Sequence, residues 1–393
     1  MFDWRIVWFC GFRVVPGDFS AECDTRNAFR IHTRIESGRR ITMPVAKLDT
    51  FREDVRQFLK MSAEIQTGMI TEYVTNKAPE IATIWPKVVE NNEKLFKGEV
   101  SINEVWTVMT MKEMLALAGM LRHVFEQTGK MRMERNPLPQ GVRIESVDAD
   151  GVPAEWQIVP GASEEKVLLY LHGGGWILGS AYSYRPLTVA LGNATEMRVL
   201  SINYRLAPEN PFPAGLEDCT KAYRWLLRQG FKPSNIIIAG DSAGGNLTLA
   251  TILKLRENGI PFPKGAVCFS PGTDTGGISI SHGETDPILA DVGIFWWRVA
   301  YLGKENRGEL QNPLVSPLFG NLQGFPPLLV QATPPEILFE NARQFVERVK
   351  AAGGEATLQI WDGMVHVWQL FFFGVFPESR EAIDKVGEWV KGL

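Results

Sequence analysis

The chain has 393 residues, 45% of them hydrophobic and 22% charged, a composition that can bury a large core and excludes a disordered polymer. Its formal net charge of -4, with no long basic stretch, excludes the electrostatic footprint of a nucleic-acid binder. The four cysteines, Cys10, Cys23, Cys219 and Cys268, are scattered without CxxC spacing, which argues against a disulfide framework or a zinc site and fits a reducing cytoplasm.

Residues 1–17 are apolar in patches, but Asp3, Arg5 and Arg13 interrupt them and no small-residue cleavage site follows, so they do not read as a signal peptide. Residues 1–42 show no convincing period, and the run from Met43 has the texture of a chain start, which predicts a poorly structured extension before it. Residues 51–73 place Val55, Phe58, Leu59, Ile65, Met69 and Tyr73 at mostly helical spacing and predict an amphipathic helix. A second helix is predicted over 101–125, opened by Ser101 and Glu104 in capping-box register and continued by Val105, Val108, Met114 and Leu121. Little strand character is expected before about residue 130.

From about residue 135 short β-rich runs alternate with helical ones, the pattern of βαβ units around a largely parallel sheet. The predicted strands are 143–147, 154–159, 166–171, 198–203, 236–239, 266–270, 328–331 and 356–360. The apolar run 365–376, broken by Gln369, is well short of the roughly 20 residues that cross a bilayer, so no membrane span is expected.

The strongest chemical signal is Gly240-Asp241-Ser242-Ala243-Gly244, a GxSxG between the strand Ile236-Ile237-Ile238-Ala239 and a helix-compatible stretch. Such a turn holds its serine in a strained conformation, and side chains at Gly240 and Gly244 would collide with neighbouring backbone. The second signal, His172-Gly173-Gly174-Gly175-Trp176, follows the strand that ends at Leu171. Ester hydrolysis builds negative charge on a carbonyl oxygen, and glycines let backbone N–H groups approach it. The expected oxyanion donors are Gly174 and Gly175, with Gly173 as a further candidate and Ala243 from the helix after Ser242. His172 is read as orienting the loop.

A serine hydroxyl needs a base, and in the strand-turn-helix fold of GxSxG hydrolases the chain order is Ser, acid, His. That order excludes His32, His123 and His172 and leaves His282, in a glycine-rich insertion, and His366, in the loop after the last strand. His366 is the expected base. Three acids lie between: Glu336 after the penultimate strand, Asp274 after the strand 266–270, and Asp362, too close in sequence to face His366 easily. Glu336 is preferred and Asp274 is the runner-up. No His, Asp or Glu cluster has ligand spacing, so no metal site is expected.

These runs, together with Tyr204-Arg205-Leu206-Ala207-Pro208-Glu209 and Pro211-Phe212-Pro213-Ala214, make residues 135–393 resemble the hormone-sensitive-lipase family of α/β-hydrolases, the family IV bacterial esterases. The resemblance implies an α/β-hydrolase fold, a mostly parallel central sheet flanked by helices with a helical cap. It further implies a carboxylesterase acting on short acyl chains, a small-molecule ester as partner and no cofactor. The cap would come from residues 1–134 and from an insertion at about 276–305. Departures from the pattern are Glu336 where the family usually has Asp, and Trp368 as the aromatic two residues past the histidine. Trp176, Trp296 and Val365 are expected to line the substrate pocket, and Phe371-Phe372-Phe373 reads as buried or as a homodimer contact, with burial favoured. An amidase or deacetylase could run on the same triad; a non-catalytic receptor of the same fold is disfavoured because all three triad groups are present.

Overall fold

The structure, a computed structural model, describes residues 19–23, 29–34, 40–45, 51–96, 109–276, 286–289 and 294–393. The first strands, β1 (Phe19–Cys23), β2 (Phe29–Arg34) and β3 (Arg40–Val45), pair antiparallel in chain order, with Phe29 opposite both Cys23 and Val45. Part of this sheet lies where the sequence suggests an unstructured extension. Its pattern is the alternation of Phe29, Ile31 and Thr33 with Arg30, His32 and Arg34, a period of two over too few residues to stand out.

Three helices follow: α1 (Glu53–Asn76), α2 (Ile81–Phe96) and α3 (Met111–Arg135). The first matches the expected amphipathic helix. The second is not anticipated, because Pro86 sits inside it and ordinarily marks a helix boundary. The expected start of α3 at Ser101 and Glu104 lies outside the described residues. The described helix opens on its own capping box: Glu113 N donates to Thr110 Oγ1 over 3.2 Å, and Thr110 N donates to Glu113 Oε2 over 2.8 Å.

All eight predicted core strands are present: β4 (Arg143–Asp148), β5 (Pro153–Ile158), β6 (Ser163–Leu171), β7 (Met197–Ile202), β8 (Ile236–Asp241), β9 (Gly265–Phe269), β10 (Leu328–Ala332) and β11 (Ala356–Ile360). They form one sheet in the order β11-β10-β9-β8-β6-β7-β5-β4; β4 and β5 run antiparallel to their neighbours and the remaining pairs are parallel. The central strands read as unbroken apolar runs because both sheet faces are covered. Leu169, Ile238 and Val330 face one buried cluster with α5 (Ala214–Arg228), α6 (Ser242–Glu257) and α8 (Phe339–Ala351). Leu168, Ile237 and Leu329 face another with α4 (Ala181–Thr195) and α10 (Pro377–Gly392).

The segment between β9 and β10, where the cap insertion is expected, contains α7 (Ile294–Leu302); His282 lies outside the described residues. The short α9 (Trp368–Phe371) leads into Phe372 and Phe373, which are buried, Phe372 meeting the Phe58 ring edge-to-face at 5.6 Å. Among the described residues no helix is long and apolar enough to cross a membrane.

Candidate active site

The parallel strands deliver their chemistry to one edge of the sheet. At the end of β8 the backbone turns into α6 through Ser242, whose φ of 51° lies in the left-handed region that few non-glycine residues adopt. A Cβ on Gly244 would stand 1.9 Å from the Leu171 carbonyl oxygen, and one on Gly240 2.4 Å from that of Gly244. The flanking glycines are therefore demanded by backbone crossing at close range. Because α6 begins at Ser242, the N–H of Ala243 is among the first-turn donors that have no acceptor one turn back.

The loop after β6 is fastened from three sides. Gly173 N donates to Asp241 Oδ1 over 2.8 Å, so this N–H is already spent on the protein. That corrects the expectation of Gly173 as an oxyanion donor, and of the expected set it leaves Gly174, Gly175 and Ala243 as candidates. Asp241 also accepts from Tyr170 Oη (2.8 Å) and Tyr184 Oη (3.0 Å). Burial lifts its carboxyl to about 6, held back by those two hydroxyls and the Gly173 N–H.

His172 is buried, and burial pushes its imidazole down to about 4, so it is neutral and lends Nδ1 to the Gly173 carbonyl at 2.8 Å. Its ring stacks on Tyr204 at 4.3 Å, while Tyr204 Oη donates to the His172 carbonyl over 2.7 Å. This fits the orienting role read from the sequence. Arg122 of α3 ties the cap to the same loop, reaching the carbonyls of Ile177 (2.6 Å) and Ala207 (2.8 Å) and both carboxylate oxygens of Glu209 (2.7 Å each).

His366 follows β11 and Glu336 follows β10, its parallel neighbour. His366 Nδ1 lies 2.7 Å from Glu336 Oε2, with both side chains buried, and Glu336 Oε1 accepts from Thr333 N over 2.9 Å. Thr333 Oγ1 donates to the Met364 carbonyl over 3.2 Å, binding the two loops together. Burial depresses the imidazole, but the Glu336 hydrogen bond and charge, followed by the charges of Asp286 and Asp241, outweigh it and raise His366 above its ordinary value of 6.5. Of the other acids considered, Asp274 Oδ1 accepts from Gly276 N over 2.7 Å, and Asp362 is exposed.

Asp286 escaped the sequence reading as a site residue. It is buried and accepts from Ile288 N and Leu289 N (2.9 Å each) in its own loop and from Ile337 N (3.2 Å) beside Glu336. It thus pins the cap insertion to the acid's loop, and burial raises its own carboxyl. The signal that could have found it is the Asp286-Pro287 pair, a turn initiator at the start of the insertion.

Two cavities meet at Ser242. The larger, about 270 Å³, is lined by Ser242, His366, Gly174, Gly175, Trp296 and residues of α1 and α3. The smaller, about 40 Å³, is lined by Ser242, Ala243, Gly175 and Trp176, the last stacked on Tyr301 at 4.3 Å. Val365 lines neither; it packs into the cluster of Val55, Phe58 and Leu59, which corrects its expected place in the pocket. Among the described residues no group of three or more His, Cys, Asp or Glu side chains could hold a metal ion.

Comparison with known proteins identifies the fold and the family. Residues 168–370 match the family described as alpha/beta hydrolase fold. An acetyl-hydrolase of Streptomyces hygroscopicus is 42% identical over 242 residues, 61% of this chain and 79% of its own. An esterase of Acinetobacter venetianus is 33% identical over 290 residues, 73% of this chain and 93% of its own. The crystal structure of an esterase from the bacterial hormone-sensitive lipase family superposes with a TM-score of 0.64 at 39% identity, covering 80% of this chain and 98% of that one. The chain belongs to the hormone-sensitive-lipase-like family of bacterial esterases within the α/β-hydrolases.

Proposed function

We propose that this chain, a carboxylic ester hydrolase by family, cleaves short-chain acyl esters through an acyl-enzyme on Ser242. His366 takes the hydroxyl proton as Ser242 attacks the carbonyl carbon, and Glu336 holds the imidazole tautomer and balances the imidazolium that forms. The oxyanion rests on the N–H groups of Gly174, Gly175 and Ala243. The alcohol departs with the proton, and water, activated by the same imidazole, then releases the acid. The observation that carries this reading is the 2.7 Å contact between His366 Nδ1 and Glu336 Oε2, with His366 and Ser242 lining one cavity under the glycine loop.

Ser242→Ala is expected to abolish hydrolysis of p-nitrophenyl acetate above the enzyme-free background. Retained turnover would remove Ser242 from its role.

A further inference from the structure

Trp297 lines both cavities that open on Ser242, the larger of about 270 Å³ and the smaller of about 40 Å³. Its indole lies against Gly175 so closely that a Cβ there would sit 2.4 Å from Trp297 Cε3. The bare glycine therefore serves the placement of this ring as well as the loop's own turn.

We propose that Trp297 is a specificity-determining wall that confines the acyl group to the smaller cavity and leaves the larger to the alcohol. The substrate class is then esters of two- or three-carbon acids with bulky apolar alcohols. The assignment rests on the Ser242–His366 reading. In acylation the Ser242 Oγ–carbon bond forms and the carbon–alkoxy oxygen bond breaks, and the proton taken from Ser242 passes through His366 to the departing oxygen. The alcohol must therefore leave on the side of the imidazole. His366 lines the larger cavity and not the smaller, while Ala243 lines the smaller and not the larger.

Size agrees with that direction. A water needs roughly 10–15 Å³ of such space, so the smaller cavity takes about three heavy atoms and the larger about twenty. The larger is walled by Leu59, Ile70, Leu121, Val124 and Phe125, surfaces suited to an uncharged alcohol. The smaller is also lined by Asp274, Thr275 and Arg298, all buried. A longer acyl chain would find no further space there, since about 40 Å³ is filled by roughly three heavy atoms.

The test is a matrix of kcat/KM values for the purified full-length chain, with p-nitrophenyl esters from acetate to octanoate and acetates of ethanol, butanol, cyclohexylmethanol and octanol. Expected is a drop of at least about tenfold between propionate and hexanoate, alongside acetates that improve as the alcohol grows. p-Nitrophenyl octanoate outrunning the acetate, or acetates that weaken as the alcohol grows, would overturn the assignment and leave the esterase reading intact; absence of turnover with every ester would overturn both. Trp297→Ala should raise the hexanoate-to-acetate ratio by about tenfold, and an unchanged ratio would also refute the wall. Should that variant fail to fold, Trp297→Phe and the wild-type matrix still decide.

Discussion

At the scale of single residues, the imidazole of His366 is pulled two ways, and the outcome fixes a pH dependence. Burial favours the neutral ring, whereas the hydrogen bond and charge of Glu336, then the charges of Asp286 and Asp241, favour the protonated one and prevail above the ordinary 6.5. A general base works only when unprotonated, so kcat/KM should rise with pH through that raised value, with its acid limb above pH 6.5. In Glu336→Gln the main raising contributions go and burial stays; the limb should shift to lower pH and turnover should fall by up to about 10⁴-fold. Asp274→Asn leaves the limb where it is. A pH profile of p-nitrophenyl acetate hydrolysis in the three proteins checks this, and the acid would have to be reassigned if the limb moved with Asp274 and not with Glu336. The convergence of Ser242, His366 and Glu336 on one edge of the sheet could be expected because each follows an apolar strand in the order such a sheet requires. Gly173 and Val365 were misread because residue type does not reveal where an N–H is already committed, or which face of a loop a side chain takes.

At the scale of elements, the turn from β8 into α6 is set by backbone crossing, which makes its glycines a sharper test than its serine. In Gly244→Ala the new methyl would stand 1.9 Å from the Leu171 carbonyl oxygen and 2.5 Å from that of His172, and neither strand backbone can retreat without losing its pairing. This variant should yield little folded protein, or a markedly lowered thermal midpoint with no esterase activity. Gly308→Ala is the matched control, since nothing lies within 4 Å of its Cβ position and its φ of -79° is open to any residue. Its effect should stay within about 0.5 kcal/mol in chemical denaturation; equal damage from both would mean that the close approach at the elbow is not what selects glycine. The central strands β8, β9 and β10 could be read from sequence because burial on both faces writes continuous apolar runs bounded by turns, while the more exposed β4, β5 and β11 show only short β-rich runs. The helix α2 could not, since Pro86 suggests a break that tertiary packing of Ile81, Ile84, Trp85 and Val88 overrides. Nor could β1–β3, whose alternation is too brief to separate from chance.

At the scale of the whole molecule, α1 has two duties that its sequence period alone does not separate. Ile70 faces the larger cavity and joins the main core, whereas Val55 and Phe58, at one end of the same helix, share a buried cluster with Met364, Val365 and Trp368, the segment that carries His366; Leu59 belongs to that cluster and also lines the cavity. The helix therefore walls the larger cavity at one point and packs against the His366 segment at another. Phe58 meets the rings of Phe372 and Phe376 edge-to-face at 5.6 and 5.7 Å, so Phe58→Ala removes packing worth about 3–5 kcal/mol. Because a base held even about 1 Å too loosely loses much of its rate, the loss should appear mainly in kcat, together with a lower thermal midpoint. Ile70→Ala takes apolar contact from the cavity wall without touching the His366 segment, so its loss should appear mainly in KM. Steady-state kinetics on a short-chain ester with a bulky alcohol separates the two. Identical kcat and KM effects from both variants would mean that the helix acts as a single rigid lid and that the packing at Phe58 has no role of its own.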